Sequence, residues 1–250
     1  MQSIFKRYEK KYIISREQSD LLQDQISGKM EIDRNDEYLI QNLYYDTANW
    51  DIIRESIEKP LYKEKLRLRY YNAFDPESPG FLELKKKFNG IVYKRRITFS
   101  LSELNNRCVR EILQNNDSQI SREINYFLSN KNAYEKIYIA YKRLAYNGAD
   151  GEKNLRVSFD RDIIFRNCSL NDFCRDGICK KNNYRLLDDN NIIMEIKTTS
   201  AFPLWLVNLL SINKIFPVSF SKYGTYFTKY VLERQNSAAE PLIKEIEDAA

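Results

Sequence analysis

The sequence predicts an α+β fold in which an antiparallel eight-stranded β-barrel encloses a tunnel and helices pack against its outside. Alternating apolar and polar residues recur in roughly eight short segments, and stretches with helical periodicity separate several of them. Asp-Pro and Asn-Gly pairs stand between neighbouring strand segments, as tight antiparallel connections require. Roughly eight such strands are enough to close a barrel.

The length and composition favour a single folded domain. The chain has 250 residues, of which 43% are hydrophobic and 30% are charged. All-β barrels of this size are commonly one domain. We therefore expect residues 1–235 to form one domain and residues 236–250 to form a polar tail.

The first half of the chain is predicted to contain two strand–helix pairs followed by three strands. Ser15 is a good N-cap for a first helix, which should run to about residue 29. Asp46 or Thr47 could cap a second helix, and Pro60 should end it. The strands are expected at residues 5–14, 38–45, 62–72, 80–87 and 91–99.

The second half should return to strands after a helical region that begins at Ser100 or Ser102. An Asn147-Gly148 turn is expected to join two of these strands, and residues 167–185 are polar and irregular. Further helices are predicted at residues 120–129, 203–213 and 223–234, and strands at 137–146, 155–165 and 191–198.

The absence of histidine restricts the possible chemistry. The chain contains no histidine at all. This excludes Ser-His and Cys-His nucleophilic pairs and every His-ligated metal site. Any catalysis must therefore depend on carboxylates, cations and an oxygen-ligated metal ion.

The cysteines and the N-terminus predict a reduced, cytoplasmic protein. Cys108, Cys168, Cys174 and Cys179 form no CxxC pair, and the first residues lack the apolar stretch of a signal peptide. The last three cysteines could hold zinc, but their spacing is irregular, which favours buried or loop thiols. The most apolar window, 201–212, is well short of the roughly 20 residues of a membrane span, so we expect no membrane segment.

Charged residues within the predicted strands fall on shared faces, because side chains two residues apart point to the same side of a strand. Lys65, Arg67 and Arg69 lie on one face of their strand, with leucines on the other. The same rule groups Glu9 with Lys11, Glu83 with Lys85, Lys94 with Arg96, Tyr141 with Arg143, Arg156 with Ser158 and Asp160, and Glu195 with Lys197.

Two interpretations of these faces are open. Each face alone could be the solvated side of an antiparallel sheet. Taken together with Lys222, however, the cations far outnumber the acids Glu9, Glu83 and Glu195. Like charges repel unless a polyanion neutralises them. A barrel lined in this way should bind polyphosphate or the triphosphate of a nucleotide, because arginine forks and lysine charges suit phosphate oxygens.

The few acids could hold a divalent cation for phosphoryl transfer. This reaction needs positioning and charge neutralisation, which a metal held by one carboxylate and phosphate oxygens can supply. Glu195 is the first candidate for the metal ligand. Glu83 and Glu9 are lesser candidates, since each could instead pair with a neighbouring cation.

Nine short segments in order resemble the polyphosphate polymerase domain of the vacuolar transporter chaperone (VTC) type, within the triphosphate tunnel metalloenzyme superfamily. They are EKKY at 9–12, LYYDT at 43–47, LRLRY at 66–70, FLELK at 81–85, YKRR at 93–96, YKR at 141–143, RVSFD at 156–160, MEIK at 194–197 and SKY at 221–223.

The resemblance implies a transferase that uses ATP and Mn²⁺ or Mg²⁺ to extend inorganic polyphosphate inside the tunnel, with Glu195 on the metal. It implies phosphate contacts from Lys11, Arg67, Arg69, Lys85, Lys94, Arg143, Arg156 and Lys222. Further substrate contacts are expected from Arg96, Tyr141, Lys197 and Ser221. Regulation or export would then require other chains, such as a membrane protein.

Two departures from the family pattern affect this expectation. Ser219 stands where the family often has a lysine, so one phosphate contact is missing. The first strand offers Glu9 and Lys11 but lacks the fuller Glu-x-Glu-x-Lys of hydrolytic tunnel enzymes.

Two alternatives to a polymerase remain open. One is a triphosphatase or tripolyphosphatase that uses the same site with water as acceptor, and the other is a non-catalytic polyphosphate-binding module. Nucleic acid is not expected as a partner, because no RNP-like aromatic motif lies on a basic sheet.

Overall fold

A computed structural model describes residues 8–33, 36–73, 75–89, 91–105, 108–149, 152–169 and 183–233. Within these ranges the chain has a mixed α+β fold built on one antiparallel sheet. The strands are β1 (Tyr8–Ser15), β2 (Met30–Ile32), β3 (Tyr38–Asp46), β4 (Tyr62–Tyr71), β5 (Pro79–Phe88), β6 (Ile91–Ser100), β7 (Tyr134–Gly148), β8 (Arg156–Asn167), β9 (Tyr184–Arg185) and β10 (Asn191–Thr198).

Six α-helices accompany the sheet in the described part of the chain. They are α1 (Arg16–Ile26), α2 (Asp51–Ile57), α3 (Val109–Gln114), α4 (Gln119–Asn130), α5 (Leu204–Ile212) and α6 (Lys222–Tyr226). A 3₁₀ turn at Leu101–Asn105 follows β6, and a π-helical segment at Phe227–Leu232 continues α6. None of these helices is long and apolar enough to cross a bilayer.

The sheet is open, so the predicted closed eight-stranded barrel is not confirmed. Its ten strands follow the order β1-β10-β8-β7-β3-β4-β5-β6, with β2 paired to β7 and β9 paired to β8. The end strands β1 and β6 do not pair with each other within the described residues. The edge of β1 instead pairs with a later segment, since the backbone N–H of Val218 donates to the carbonyl of Lys11 at 2.7 Å.

The sheet is strongly curved, and side chains from its two ends face the same space. Six strand steps separate β1 from β5, which would place them roughly 29 Å apart in a flat sheet at about 4.8 Å per step. Nevertheless Glu9 and Lys11 of β1 act electrostatically on Lys85 of β5. We refer to the side that carries these residues as the concave face.

The convex face is covered by helices. Leu66, Leu68, Leu82 and Leu84 are almost completely buried and belong to one core with residues of α3 and α4. These are the leucines that the alternation placed opposite the cations, and burial of each contributes about 1.5–3 kcal/mol. A second core joins apolar residues of β1 and β10, such as Tyr12 and Met194, to α1 and α5.

Part of the concave face is filled by the C-terminal helical segment. Tyr223, Tyr226 and Phe227 form a buried cluster with apolar residues of β3, β7 and β8. The Tyr223 ring stacks on Tyr44 with centroids 4.9 Å apart. The Tyr223 hydroxyl donates to Asp46 at 2.6 Å, and the same carboxylate accepts from the backbone N–H groups of Ile52 and Ile53 at the start of α2.

Several sequence predictions about single elements are confirmed and others are wrong. Ser15 caps α1 in a capping box with Gln18, as expected, whereas α2 begins at Asp51, later than predicted. The predicted Asn147-Gly148 turn is wrong, because both residues extend β7. A Cβ at Gly148 would lie 2.1 Å from the carbonyl oxygen of Glu152, so glycine there allows a close backbone approach.

Other predictions fall on residues that the structure does not describe. The polar tail at 236–250 and most of the irregular segment at 167–185 lie outside the described ranges. So do Cys174 and Cys179, whereas Cys108 and Cys168 lie within these ranges. The possible zinc site is therefore left untested.

Candidate functional site

Strand pairing brings cations of β4, β5 and β6 into transverse rows on the concave face. Arg67 is opposite Glu83, which is opposite Arg96. In the adjacent row, Lys65 is opposite Lys85, which is opposite Lys94. Directly opposite side chains lie within roughly 5 Å at Cβ, so each row forms a continuous polar strip.

Glu83 is the counter-ion of three cations. Its Oε2 accepts from Nε and Nη2 of Arg67 at 2.9 and 2.7 Å, and its Oε1 accepts from Arg96 Nε at 2.9 Å and contacts Lys94 Nζ at 2.6 Å. Burial alone would raise the pKa of Glu83, but Arg67, Arg69 and Lys94 hold it far below its usual range. Both oxygens are thus occupied by protein cations, which fixes the cations in place.

Arg69 lies deeper on the same face and is held by neutral partners. Its Nε donates to Asn42 Oδ1 at 2.8 Å, and its Nη2 donates to the Tyr141 hydroxyl at 3.2 Å. Although burial acts to raise it, the charges of Arg69, Arg143 and Lys222 lower the pKa of Tyr141. Lys222 Nζ also lies 4.2 Å from the centroid of the Tyr141 ring.

Asp160 is a second buried counter-ion, which the analysis of the sequence did not select. Arg143 donates from Nε and Nη2 to its two carboxylate oxygens at 2.5 and 2.7 Å, and Lys222 Nζ contacts it at 2.6 Å. Burial opposes ionisation, but Arg143 and Lys222 lower the pKa of Asp160. The alternation in β8 had placed Asp160 on the polar face, and that signal could have identified it.

Glu195 and Glu9 form a pair of carboxylates at the β1–β10 end of the face. Glu195 lies 3.5 Å from Arg143 Nη2 and 3.4 Å from Lys197 Nζ, while Glu9 lies 3.4 Å from Lys11 Nζ. Burial acts to raise the pKa of Glu195, but Lys197, a hydrogen bond with Glu9 and Arg143 lower it well below its usual range. Glu195 is therefore a carboxylate near neutral pH.

The Glu9–Glu195 pair fits a divalent cation better than Glu83 does. Mg²⁺ is usually held by one or two carboxylates together with substrate phosphates and water. The described residues include no group of three or more acids and cysteines able to hold a metal ion by themselves. A cation at Glu195 would thus depend on phosphate oxygens for its remaining ligands.

The remaining predicted residues lie at the margins of the face or support it. Arg156 donates to Asp33 Oδ2 at 2.7 Å and to Asn147 Oδ1 at 3.0 Å. Lys11 Nζ donates to the carbonyl of Phe220 at 3.0 Å. The hydroxyl of Ser221 accepts from Gly224 N at 3.2 Å, so Ser221 caps α6 and positions Lys222.

The comparison with family models gives one match. Residues 6–230 match the family model described as VTC domain. None of the curated proteins matches the chain.

The solved structures that are similar to this one have low sequence identity to the chain. A Vibrio parahaemolyticus protein provisionally described as an adenylate cyclase has a TM-score of 0.47 and 12% identity, covering 90% of this chain and 98% of its own. The PH1819 protein of Pyrococcus horikoshii has a TM-score of 0.40 and 13% identity, covering 83% and 87%. At these TM-scores, neither similarity supports a conclusion about activity.

Proposed function

The chain belongs to the VTC domain family, and from this premise we propose that it is a polyphosphate polymerase. In the proposed reaction, a terminal phosphate oxygen of an inorganic polyphosphate chain attacks the γ-phosphorus of ATP. The bond between the γ-phosphorus and the β–γ bridging oxygen breaks, ADP leaves, and the polyphosphate grows by one unit.

The observation that carries this proposal is the excess of cations over acids on one concave face. Acids that lie on this face or bond its residues are Glu9, Asp33, Asp46, Glu83, Asp160 and Glu195. The cations are Lys11, Lys63, Lys65, Arg67, Arg69, Lys85, Lys94, Arg96, Arg143, Arg156, Lys197 and Lys222. Such an uncompensated field attracts a polyanion, and fixed guanidinium groups bind phosphate oxygens in pairs.

The buried carboxylates supply preorganisation. Glu83 and Asp160 hold the heads of Arg67, Arg96, Arg143 and Lys222 in fixed positions before substrate arrives. Phosphoryl transfer depends mainly on positioning and on neutralising charge on the transferred group. Cations that are already held in position therefore lower the activation barrier of phosphoryl transfer, because they need not reorganise during the reaction.

A divalent cation fits the ionised carboxylate of Glu195, with Glu9 beside it. When bound, Mn²⁺ or Mg²⁺ would neutralise phosphate charge during transfer. Neighbouring Lys197 and Arg143 keep Glu195 ionised and would orient the phosphate oxygens next to it.

Incubation with ATP and MnCl₂, followed by gel electrophoresis of the products, tests this proposal. We expect long polyphosphate together with one ADP for each phosphate added. Free phosphate without polymer would instead show a triphosphatase, and polyphosphate binding without ATP turnover would show a binding module. Both results would overturn the polymerase assignment.

A matched pair of variants connects the activity to the concave face. Arg69→Gln removes a cation of the face, whereas Lys10→Gln removes one from the opposite side of β1, where Lys10 is exposed. We expect only Arg69→Gln to abolish polymer formation. Equal activity of the two variants would exclude the concave face as the site.

A further inference from the structure

Lys65 and Lys85 are cations of the concave face for which the described residues provide no paired counter-ion. Arg67, Lys94 and Arg96 contact Glu83, and Arg143 and Lys222 contact Asp160. Within the described parts of the chain, Lys65 and Lys85 make neither an ion pair nor a side-chain hydrogen bond. Glu9 acts electrostatically on Lys85, and Asp46 acts on Lys65, but neither acid forms an ion pair with these lysines. Much of the charge of the two lysines is therefore left for a ligand to neutralise.

The two lysines are neighbours, and more positive charge surrounds them. Lys65 and Lys85 are directly opposite in the β4–β5 pair, and Lys94 is opposite Lys85 on β6. Lys63 lies two residues before Lys65 on the same face, and Lys11 of β1 acts on Lys65 across the concave space. Like charges in register destabilise a sheet, so this row is unfavourable for the fold unless an anion is bound.

The pKa of Lys65 is consistent with its position in a row of lysines. Lys65 is half-buried on the concave face, whereas Lys85 is exposed. Burial is the main cause that lowers the pKa of Lys65 to about 7, and Lys63, Lys85 and Lys11 lower it further. An anion beside Lys65 would favour its charged form.

We propose that Lys65, together with Lys85, forms a separate phosphate-binding subsite for a linear polyphosphate. The arginine row Arg67–Glu83–Arg96 holds one phosphate group, and the lysine row holds a group further along the same chain. The proposal rests on the proposed function, and it assigns to Lys65 a substrate contact that the family resemblance did not supply.

The spacing of the rows explains why the ligand must be linear. Adjacent rows on one face are two residues apart along the strand, which is about 7 Å. A single inorganic phosphate at the arginine row would leave the lysine row without a counter-ion. A chain of phosphate groups that runs along the strand direction can contact both rows.

Calorimetric titration with long-chain polyphosphate at several salt concentrations tests the subsite. We expect Lys65→Gln to weaken binding about tenfold and to reduce the slope of log K against log salt by about one. Lys65→Arg should retain both properties, and Lys10→Gln should match the wild type.

Thermal denaturation distinguishes a ligand contact from a structural role. Without anion, Lys65→Gln should melt at or above the wild-type temperature, because one repelling charge is removed. With polyphosphate, its gain in melting temperature should be smaller than that of the wild type. A lower melting temperature without anion, or unchanged affinity and salt slope, would overturn the subsite.

The failure of the subsite and the failure of the proposed function give different results. If the wild type makes polyphosphate and Lys65→Gln binds it equally well, only the subsite is wrong. If the wild type neither binds polyphosphate nor consumes ATP, the proposed function is wrong and the subsite with it.

Discussion

Arg143 and Asp160 form a buried, two-pronged ion pair between the adjacent strands β7 and β8. Two hydrogen bonds of 2.5 and 2.7 Å join them, and Asp160 is completely inaccessible to solvent. Because Lys222 of α6 contacts the same carboxylate, Asp160 links the sheet to the C-terminal helix. The pair therefore contributes to the position of three elements as well as to the charge of the concave face.

The first prediction concerns the removal of this charge. Asp160→Asn leaves Lys222 without its counter-ion and leaves the buried Arg143 with only its 3.5 Å contact to Glu195. Loss of one partner of a buried pair costs about 3–5 kcal/mol. We expect the free energy of unfolding, measured with urea, to fall by about that amount. Asp33→Asn is the matched control, because its pair with Arg156 is partly exposed and should be worth less than about 1 kcal/mol. Similar losses for the two variants would contradict the role of Asp160.

The second prediction separates charge from geometry at Arg69. Arg69→Lys keeps the positive charge but loses the fork that bonds Asn42 and Tyr141. We expect kcat/KM for ATP to fall roughly 10- to 100-fold with little change in melting temperature. Arg95→Lys, on the convex side of β6 beside Glu123, should retain wild-type kinetics. Full activity of Arg69→Lys would show that only charge is required.

The third prediction distinguishes Glu195 from Glu83. Glu195→Gln should lose metal-dependent turnover while still binding polyphosphate, because it removes an acid and leaves the cations of the face. Glu83→Gln should instead lower thermal stability, because three cations lose their shared counter-ion. Enzyme assays over a range of Mn²⁺ concentrations, together with melting curves, measure both effects. Retained metal-dependent turnover in Glu195→Gln would remove Glu195 as the metal ligand.

The fourth prediction is a pH dependence. The pKa of Lys65, which is half-buried, is lowered to about 7, mainly by burial. Below pH 7 Lys65 is charged and ready to bind an anion, whereas above pH 8 binding must first restore its proton. We expect the affinity for polyphosphate to fall between pH 7 and pH 9, by up to about tenfold per pH unit for each lysine that must be protonated. In Lys65→Gln this fall should be shallower.

The free energy of unfolding measured without anion should rise with pH, whereas the affinity for polyphosphate should fall. A lysine whose pKa is lowered by folding binds fewer protons in the folded state than in the unfolded state, so its contribution to stability rises with pH above the folded pKa. The free energy of unfolding of the wild type should thus increase relative to that of Lys65→Gln as the pH rises from 7 to 9. Parallel stability profiles for the two proteins would contradict the lowered pKa.

The concave face could be predicted from the sequence because strand alternation is a local rule. The leucines between Lys65, Arg67 and Arg69 are buried against helices, and the cations lie on the other face, as expected. Pairing between strands then brings Glu83 to Arg67, and no long-range information beyond the order of a simple meander is needed.

Long-range relationships could not be predicted in this way. The pairing of Val218 with Lys11 at the edge of β1, which takes the place of barrel closure, joins segments about 200 residues apart. Tyr223 and Tyr44, whose rings stack, are also far apart in the sequence. Within the described residues Lys65 forms no ion pair, and this too depends on where the acids of other strands lie.

Asp46 belongs to one of the sequence segments that resemble the VTC type, yet its contacts are architectural. Its carboxylate accepts from two backbone N–H groups of α2 and from Tyr223 of the helix that carries Lys222. Replacement of Asp46 would therefore shift Lys222, a proposed phosphate ligand, although Asp46 itself would not contact the reactants. Loss of activity in an Asp46 variant would thus result from the altered position of α6. A mutational survey that measures turnover alone would wrongly assign Asp46 a catalytic role.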